Sequence, residues 1–461
     1  MEPIFTNDAI VFGLLMLVLG LVFYTASLET GIWPKIYKFV PTLLLCYFIP
    51  ALLYWPLGLI APEWFKPEIL EFAKGIGVAI PNGATFNEIA MLLSNAGAKK
   101  ADYEAMTGST NLYFVASRYL LPACLILLCI SIDLKAIMNL GPKALIMFFT
   151  ATTGIIIGGP IAVLIVMYLA PGLIAVTPDE LWRGLSTVAG SWIGGGANQA
   201  AMKEIFKVDD NLFGTMLIVD IVVANIWMGF ILYGASITKK VDKWLKADVA
   251  SIEELKEKVE KFRAGIEKIP TATDTFILMG VAFFGVGLSH FLADIITPFM
   301  GGYAEALKAW RLESLASGFF WLIVVSTTFG VILSFTRARN LEGVGASRWG
   351  TIFIFVLVAT IGMKMNLLEV FNNLTLFGIG LIWMIVHVIL LLVVAKIIKA
   401  PFFFVAVGSQ ANVGGAASAP VVASAFSPAL APVGVLMAVV GYALGTYGAI
   451  ICAYLMQAAT R

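Results

Sequence analysis

An aspartate stands in the middle of an apolar run, GTMLIVDIVVANIWMGF, at position 220. A carboxylate in such surroundings is costly and by default functional. Asp220 is therefore a candidate Na+ ligand or proton carrier, with a structural role beside a buried amide or lysine as the alternative. Asn225 is its candidate companion, yet it lies about 140° further around an ideal helix. The two share one point only if the helix is distorted. Just upstream, residues 190–202 read GSWIGGGANQAAM, and residues 408–420, GSQANVGGAASAP, repeat the pattern near the carboxyl end. With one gap, Gly190 and Ser191 meet Gly408 and Ser409, and the GGA beginning at Gly195 meets the GGA beginning at Gly414.

These two stretches supply the remaining polar inventory. Ser191, Asn198 and Gln199 belong to the first, and Ser409, Gln410, Asn412 and Ser418 to the second. Where a helix breaks inside a membrane, free N–H groups suit an anionic group and unwound carbonyls suit Na+. Gly195, Gly196, Gly414 and Gly415 serve either close approach of a ligand to the backbone or tight helix packing in lipid; both readings stand. For the four amides a functional role is favoured, because an uncompensated amide in hydrocarbon is costly. Together these residues form the candidate substrate site, with Asp220 and Asn225 as the candidate coupling-ion site.

Other polar residues are less telling. Arg118, at the start of an apolar run, suits a substrate carboxylate or a lipid headgroup equally. Asp133 sits beside Lys135, with Asn366 as a possible repeat mate, and Lys364 can snorkel to an interface. His290, Asp294 and His387 are protonatable, but a lone buried histidine is commonly a satisfied core residue. Neither GxSxG nor HExxH occurs, and both histidines are far in sequence from Ser191 and Ser409. That argues against an intramembrane hydrolase. No Arg in either glycine-rich stretch announces a dicarboxylate, so neutral and zwitterionic solutes stay open.

The elements that must position these residues are membrane helices. Of 461 residues, 60% are hydrophobic and only 13% charged, against about 25% charged in soluble domains. The expected class is an all-α polytopic membrane protein whose partner is the lipid bilayer. A net charge of +1 offers no footprint for nucleic acid. The four cysteines, Cys46, Cys124, Cys129 and Cys452, all fall in apolar runs. They read as small buried hydrophobes rather than zinc ligands or disulfides. The opening MEPIFTNDAI lacks the basic residues of a cleaved signal peptide, so the first apolar run is expected to be retained.

A spanning helix needs about 20 apolar residues. Candidate runs are 9–27, 38–60, 113–132, 144–170, 211–238, 272–294, 316–336, 349–368, 375–397 and 430–457. Runs 184–206 and 401–426 are long enough but rich in Gly, Ala, Ser and Asn. If 184–206 crossed the membrane, Lys35, Lys38, Lys135 and Lys143 would lie opposite Lys239, Lys240, Lys243, Lys246, Arg337, Arg339, Arg348, Lys396 and Lys399. That breaks the positive-inside rule in either orientation. If 184–206 enters and leaves by one face, all these clusters reach the cytoplasm and the amino terminus is outside. A re-entrant hairpin is therefore expected, its tip near the midplane.

The order span, span, glycine-rich run, long final helix occurs twice. Five crossings and one hairpin per copy make the second copy inverted. The expected organisation is two inverted-topology repeats, residues 1–238 and 271–461, each about five transmembrane helices plus one re-entrant hairpin. A charged cytoplasmic connector, 239–270, joins them and reads as a solvated linker. Such repeats are characteristic of secondary transporters that bind at the midplane. A channel would tolerate the same broken elements.

GSWIGGGANQAAM resembles the signature of an uncharacterised bacterial and plastid membrane family of unknown function, and that likeness runs over most of the chain. In organisation and in two short motifs the chain also resembles the sodium/glutamate and 2-hydroxycarboxylate symporters, which carry GGxG at each hairpin. It departs from GGxG, with Gly195-Gly196-Ala197-Asn198 and Gly414-Gly415-Ala416-Ala417. The symporter likeness implies sodium-coupled uptake in a bacterial inner membrane, elevator-like movement of a transport domain, and a homodimer held by a scaffold domain.

Overall fold

A computed structural model describes residues 2–37, 40, 42–81, 84, 86–132, 138, 140–169, 171, 174, 176–248, 270–310, 312–365, 376–427 and 430–460. Lys38, Asp133, Lys135, Asn366 and most of the charged connector lie outside these. Two compact units emerge: Met1–Leu120 with Phe355–Val370, and Leu121–Ile354 with Phe371–Arg461.

The first unit opens with α1 (Asp8–Ala26), whose first turn is capped by Asn7: its Oδ1 accepts from the Ala9 N–H at 2.8 Å. Helix α2 (Thr42–Tyr54) follows with Pro50 inside it. The segment after it holds a structure that composition did not announce. Strands β1 (Glu63–Phe65) and β2 (Thr107–Ser109) pair antiparallel, with Trp64 opposite Gly108. Between them, α3 (Ile69–Gly75) and α4 (Phe86–Asn95) close a small core of Phe65, Ile69, Ala73, Ile89, Leu93 and Tyr103. Helix α5 (Leu112–Ile130) begins in this unit, its residues from Leu121 belonging to the second, and its turn at Ala116–Leu120 is π-helical.

The second unit carries the long helices: α6 (Pro142–Leu169), then α7 (Pro178–Gly194) and α8 (Gly196–Ile205), α9 (Asp210–Ser236) and the short α10 (Thr238–Leu245). Helices α11 (Ala272–Gly301), α12 (Gly318–Ser334), α13 (Ala346–Gly362), whose residues from Phe355 belong to the first unit, and α14 (Leu376–Ile397) follow. The chain ends with α15 (Phe402–Val413), α16 (Gly415–Phe426) and α17 (Ala431–Ala459). Among the described residues, seven helices are long and apolar enough to cross a membrane: α1, α5, α6, α9, α11, α14 and most of α17. The expected spans 38–60, 316–336 and 349–368 appear as shorter apolar helices of 13, 17 and 17 residues. The chain is an all-α polytopic integral membrane protein.

Local sequence explains where the site-bearing helices begin. Thr177 and Glu180 form a reciprocal capping box before α7: the Glu180 N–H donates to Thr177 Oγ1 at 3.2 Å, and Thr177 N–H to Glu180 Oε2 at 2.8 Å. Pro178 fills the first helical position, where its missing N–H costs nothing. Asp209 caps α9 in the same way, accepting from Asn211 N–H at 2.9 Å.

Candidate functional site

Each glycine-rich stretch folds as two helical arms. The first is α7–α8, broken at Gly195, whose φ of +77° is a conformation that side-chain-bearing residues rarely adopt. The arms fold back on each other so closely that a Cβ at Gly190 would lie 2.7 Å from the Asn198 carbonyl oxygen. The second hairpin is α15–α16, which turns at Gly414 and Gly415, the latter at φ +59°. Gln410 Nε2 donates to Ser418 Oγ at 2.7 Å across it.

The glycines divide between the two roles left open by the sequence. Gly194 crosses α17 where a Cβ would sit 2.6 Å from Gly445 Cα and 2.7 Å from the Gly441 carbonyl oxygen. Gly408 meets α6 similarly, 3.1 Å from the Met147 carbonyl carbon. These are packing glycines, where absence of a side chain lets backbones meet. Around Gly196 and Gly415, by contrast, a Cβ would meet nothing within 4 Å. At the second tip Gly414 is closed by Ser418 and Gln410, so the open positions are Gly196 and Gly415, while the crossings are closed.

Both asparagines fasten their hairpins to a neighbouring helix. Asn198 is fully buried; its Nδ2 donates to the carbonyls of Gly194 and Tyr442 at 3.0 Å each, and its Oδ1 accepts from Thr446 Oγ1 at 2.6 Å. Asn412, also fully buried, donates to the carbonyls of Gly408 at 3.0 Å and Phe148 at 3.3 Å, and accepts from Thr152 Oγ1 at 2.8 Å. The partners on α17 (Tyr442, Thr446) and on α6 (Phe148, Thr152) are spaced alike. The two asparagines nevertheless lie on opposite sides of their glycine breaks, Asn198 after and Asn412 before. One hydrogen-bond solution thus occurs at positions that the sequence repeat does not pair.

Asp220 lies on α9, 4% exposed. Its Oδ1 accepts from Trp192 Nε1 at 2.7 Å and its Oδ2 from Gln199 Nε2 at 3.0 Å, while Ser191 also hydrogen-bonds to the carboxylate. Three residues of GSWIGGGANQ thereby converge on one carboxylate. Every one of these partners is neutral, and among the described residues no ion pair reaches Asp220. Asn225 does not join it. It is exposed on the undistorted α9, and its Nδ2 donates to the Ile221 carbonyl at 2.7 Å.

Ser409 occupies a second polar knot. His387 Nδ1 lies 3.1 Å from the Ala151 carbonyl, which can only accept, so Nδ1 carries the proton. Nε2, 2.7 Å from Ser409 Oγ, then accepts the serine hydroxyl, and that oxygen accepts Trp227 Nε1–H at 2.8 Å. Separation in sequence had argued against such a Ser–His pair; the crossing of α14 and α15 makes one. Trp192, Trp227, Thr152 and Thr446 are participants that sequence reasoning missed. Only the indole and hydroxyl donors themselves, embedded in apolar helices, could have flagged them.

Buried side-chain atoms without a hydrogen-bond partner include Gln199 Oε1 and Gln410 Oε1, one in each hairpin. The hairpin bases are better paired. Lys203, 3% exposed, bonds Asp210 at 2.7 Å and Glu204 at 3.4 Å. Helix α10, at the start of the expected solvated linker, is docked: Asp242 Oδ1 accepts from the Phe402 N–H at 2.8 Å and so caps α15. Asp248 adds an ion pair with Lys143 at 2.7 Å. In the other unit, Arg118 lies half-buried in the π-helical turn, and Lys364 Nζ sits 4.2 Å from the Tyr113 ring centre. His290 is half-buried and Asp294 exposed on α11.

A helical membrane core holding two glycine-broken hairpins, with a buried carboxylate against one of them, defines the class. The chain belongs to the DUF819 family of proteins of unknown function, whose model matches residues 88–459. It is also similar to the uncharacterized membrane protein YjcL of Bacillus subtilis (strain 168), at 23% identity over 361 residues covering 78% of this chain and 85% of that protein.

Proposed function

We propose that this protein is a secondary transporter that couples a cation, Na+ ahead of H+, to movement of a small organic solute such as an amino acid, short peptide or carboxylate. In this reading the two hairpins are re-entrant and meet near the midplane. They move as part of a transport domain within a homodimer, with the amino terminus outside and the protein in a bacterial inner membrane. The observation that carries the reading is the Asp220 carboxylate, buried against the first hairpin and held only by neutral donors. An uncompensated buried charge costs several kcal/mol, and a bound cation supplies the missing partner. Its contact with Gln199, one turn beyond Gly195, ties that cation to the hairpin's position.

No enzymatic role is proposed. Ser409 and His387 are both fully buried, and the serine oxygen is already engaged by Trp227. With Gly408 pressed against the α6 backbone, the knot has the character of a structural relay. The test of transport is solute uptake into proteoliposomes under an imposed Na+ or H+ gradient, with wild type and Asp220→Asn compared. Gradient-driven accumulation that Asp220→Asn abolishes is expected. Accumulation with unchanged ion dependence in the variant overturns the role of Asp220, and uptake indifferent to either gradient overturns coupled transport.

A further inference from the structure

The two hairpins leave a matched and unusual vacancy in their hydrogen bonding. Gln199 is fully buried and Gln410 is 2% exposed, yet the side-chain oxygen of each has no partner. A buried acceptor left unpaired costs about 1–3 kcal/mol, and buried polar groups are paired in the great majority of cases. Gln199 cannot relieve this by rotating its amide, because its Nε2 is the donor that Asp220 Oδ2 requires. In the second hairpin Gln410 faces Ser418 Oγ at 2.7 Å, a hydroxyl that can accept or donate, so this amide leaves either its oxygen or its N–H group unpaired. The Gln199 amide alone is held with its oxygen free.

The surrounding chemistry has one sign. Residues 184–202 and 402–426 contain no Lys or Arg, and the Asp220 carboxylate adds a further acceptor bonded to Gln199. Lys203 stands at the base of the first hairpin and is already bound to Asp210 and Glu204. A dianionic solute would meet acceptors where it needs donors. The open first turn of α8, beside Gly196, provides backbone N–H groups for one anionic or carbonyl group.

Resting on the transport reading above, we propose that Gln199 Oε1 receives an N–H donor of the transported solute. The substrate class is then an amine- or amide-bearing compound, an amino acid or short peptide, rather than a hydroxy acid or a dicarboxylate without nitrogen.

Matched pairs test this on the purified full-length protein in Na+ buffer. L-alanine is compared with L-lactate, L-aspartate with L-malate, and glycylglycine with succinate, each titrated against thermal unfolding. At least one amino member should stabilise the protein at about tenfold lower concentration than its partner, as expected for a charge-assisted hydrogen bond. Gln199→Met should raise that concentration about 10- to 100-fold. A hydroxy acid or dicarboxylate matching or surpassing its amino partner overturns the proposal, as does the absence of any response to amino compounds. The wild-type pairs decide this even if a variant fails to fold. Parallel flux measurements separate the two levels: Na+-driven uptake of lactate or malate discards this substrate class while leaving transport standing, and no ion-driven flux of either class removes both.

Discussion

The Asn198 side chain accepts the Thr446 hydroxyl at 2.6 Å, although 248 residues separate them in sequence. Removing the donor by Thr446→Val strands a fully buried amide oxygen, and the expected loss is about 1–3 kcal/mol. Asn198→Leu combined with Thr446→Val should cost less than the sum of the single changes, because both remove the same bond; the Thr446 hydroxyl keeps Thr327 Oγ1 at 3.1 Å when Asn198 alone is changed. A double-mutant cycle from denaturant unfolding in detergent checks this. Strict additivity would show the bond to be energetically idle.

The glycines should separate cleanly by position. Gly194→Ala places a methyl 2.6 Å from Gly445 Cα and 2.7 Å from the Gly441 carbonyl oxygen. Helices α7 and α17 must then part, at about 1–3 kcal/mol. Gly196→Ala meets nothing within 4 Å and should change stability by less than about 0.5 kcal/mol. Thermal unfolding of the two variants side by side gives the comparison. Equal destabilisation would contradict the distinction between crossing and tip.

Ser409→Ala should orphan both the Trp227 indole N–H and the His387 Nε2 acceptor, destabilising by about 1–3 kcal/mol. Because the serine is engaged on both sides, a fluorophosphonate probe should leave the native protein unlabelled, as intact-mass spectrometry would reveal. Stoichiometric labelling lost in Ser409→Ala would restore the hydrolase reading.

Asp242 supplies a pH signature outside the spans. Burial raises its carboxyl above the ordinary value of 3.8, against the opposing bonds from Phe402 and Thr238. A raised folded-state pKa means that the folded protein binds the proton more tightly than the unfolded chain. This contribution therefore favours folding as pH falls through the window just above 3.8 and fades as pH rises through the folded value. Asp242→Asn keeps an oxygen for the Phe402 N–H and should flatten that part of the profile. Unfolding midpoints of both proteins across the acid range measure it; identical slopes would refute the assignment.

Much of this was legible in residue types. The triple glycine beside Asn198 and Gln199 marked a break, and Asp220 stood out in its apolar run. What sequence could not supply was the partner across a helix crossing. Thr152, Thr446, Trp227 and His387 look ordinary in their own helices, and their roles arise from contacts spanning 182 to 260 residues, with the 22-residue Ser409–His387 pair the exception. Strands of three residues carry no usable period, so β1 and β2 were invisible as well. The start of the charged connector read as solvated because docking of α10 rests on a single cap at Phe402 and a few contacts beside it.

The bond between Asn198 and Thr446 also orders events during synthesis. At about 5–20 residues per second, the ribosome needs roughly ten to fifty seconds to reach Thr446 after Asn198 has emerged. Throughout that interval the first hairpin lacks both the hydroxyl that satisfies its amide and the glycine face of α17 against which Gly194 rests. The first hairpin is completed by a helix made 248 residues later, so its maturation is a closing step that awaits the arrival of α17.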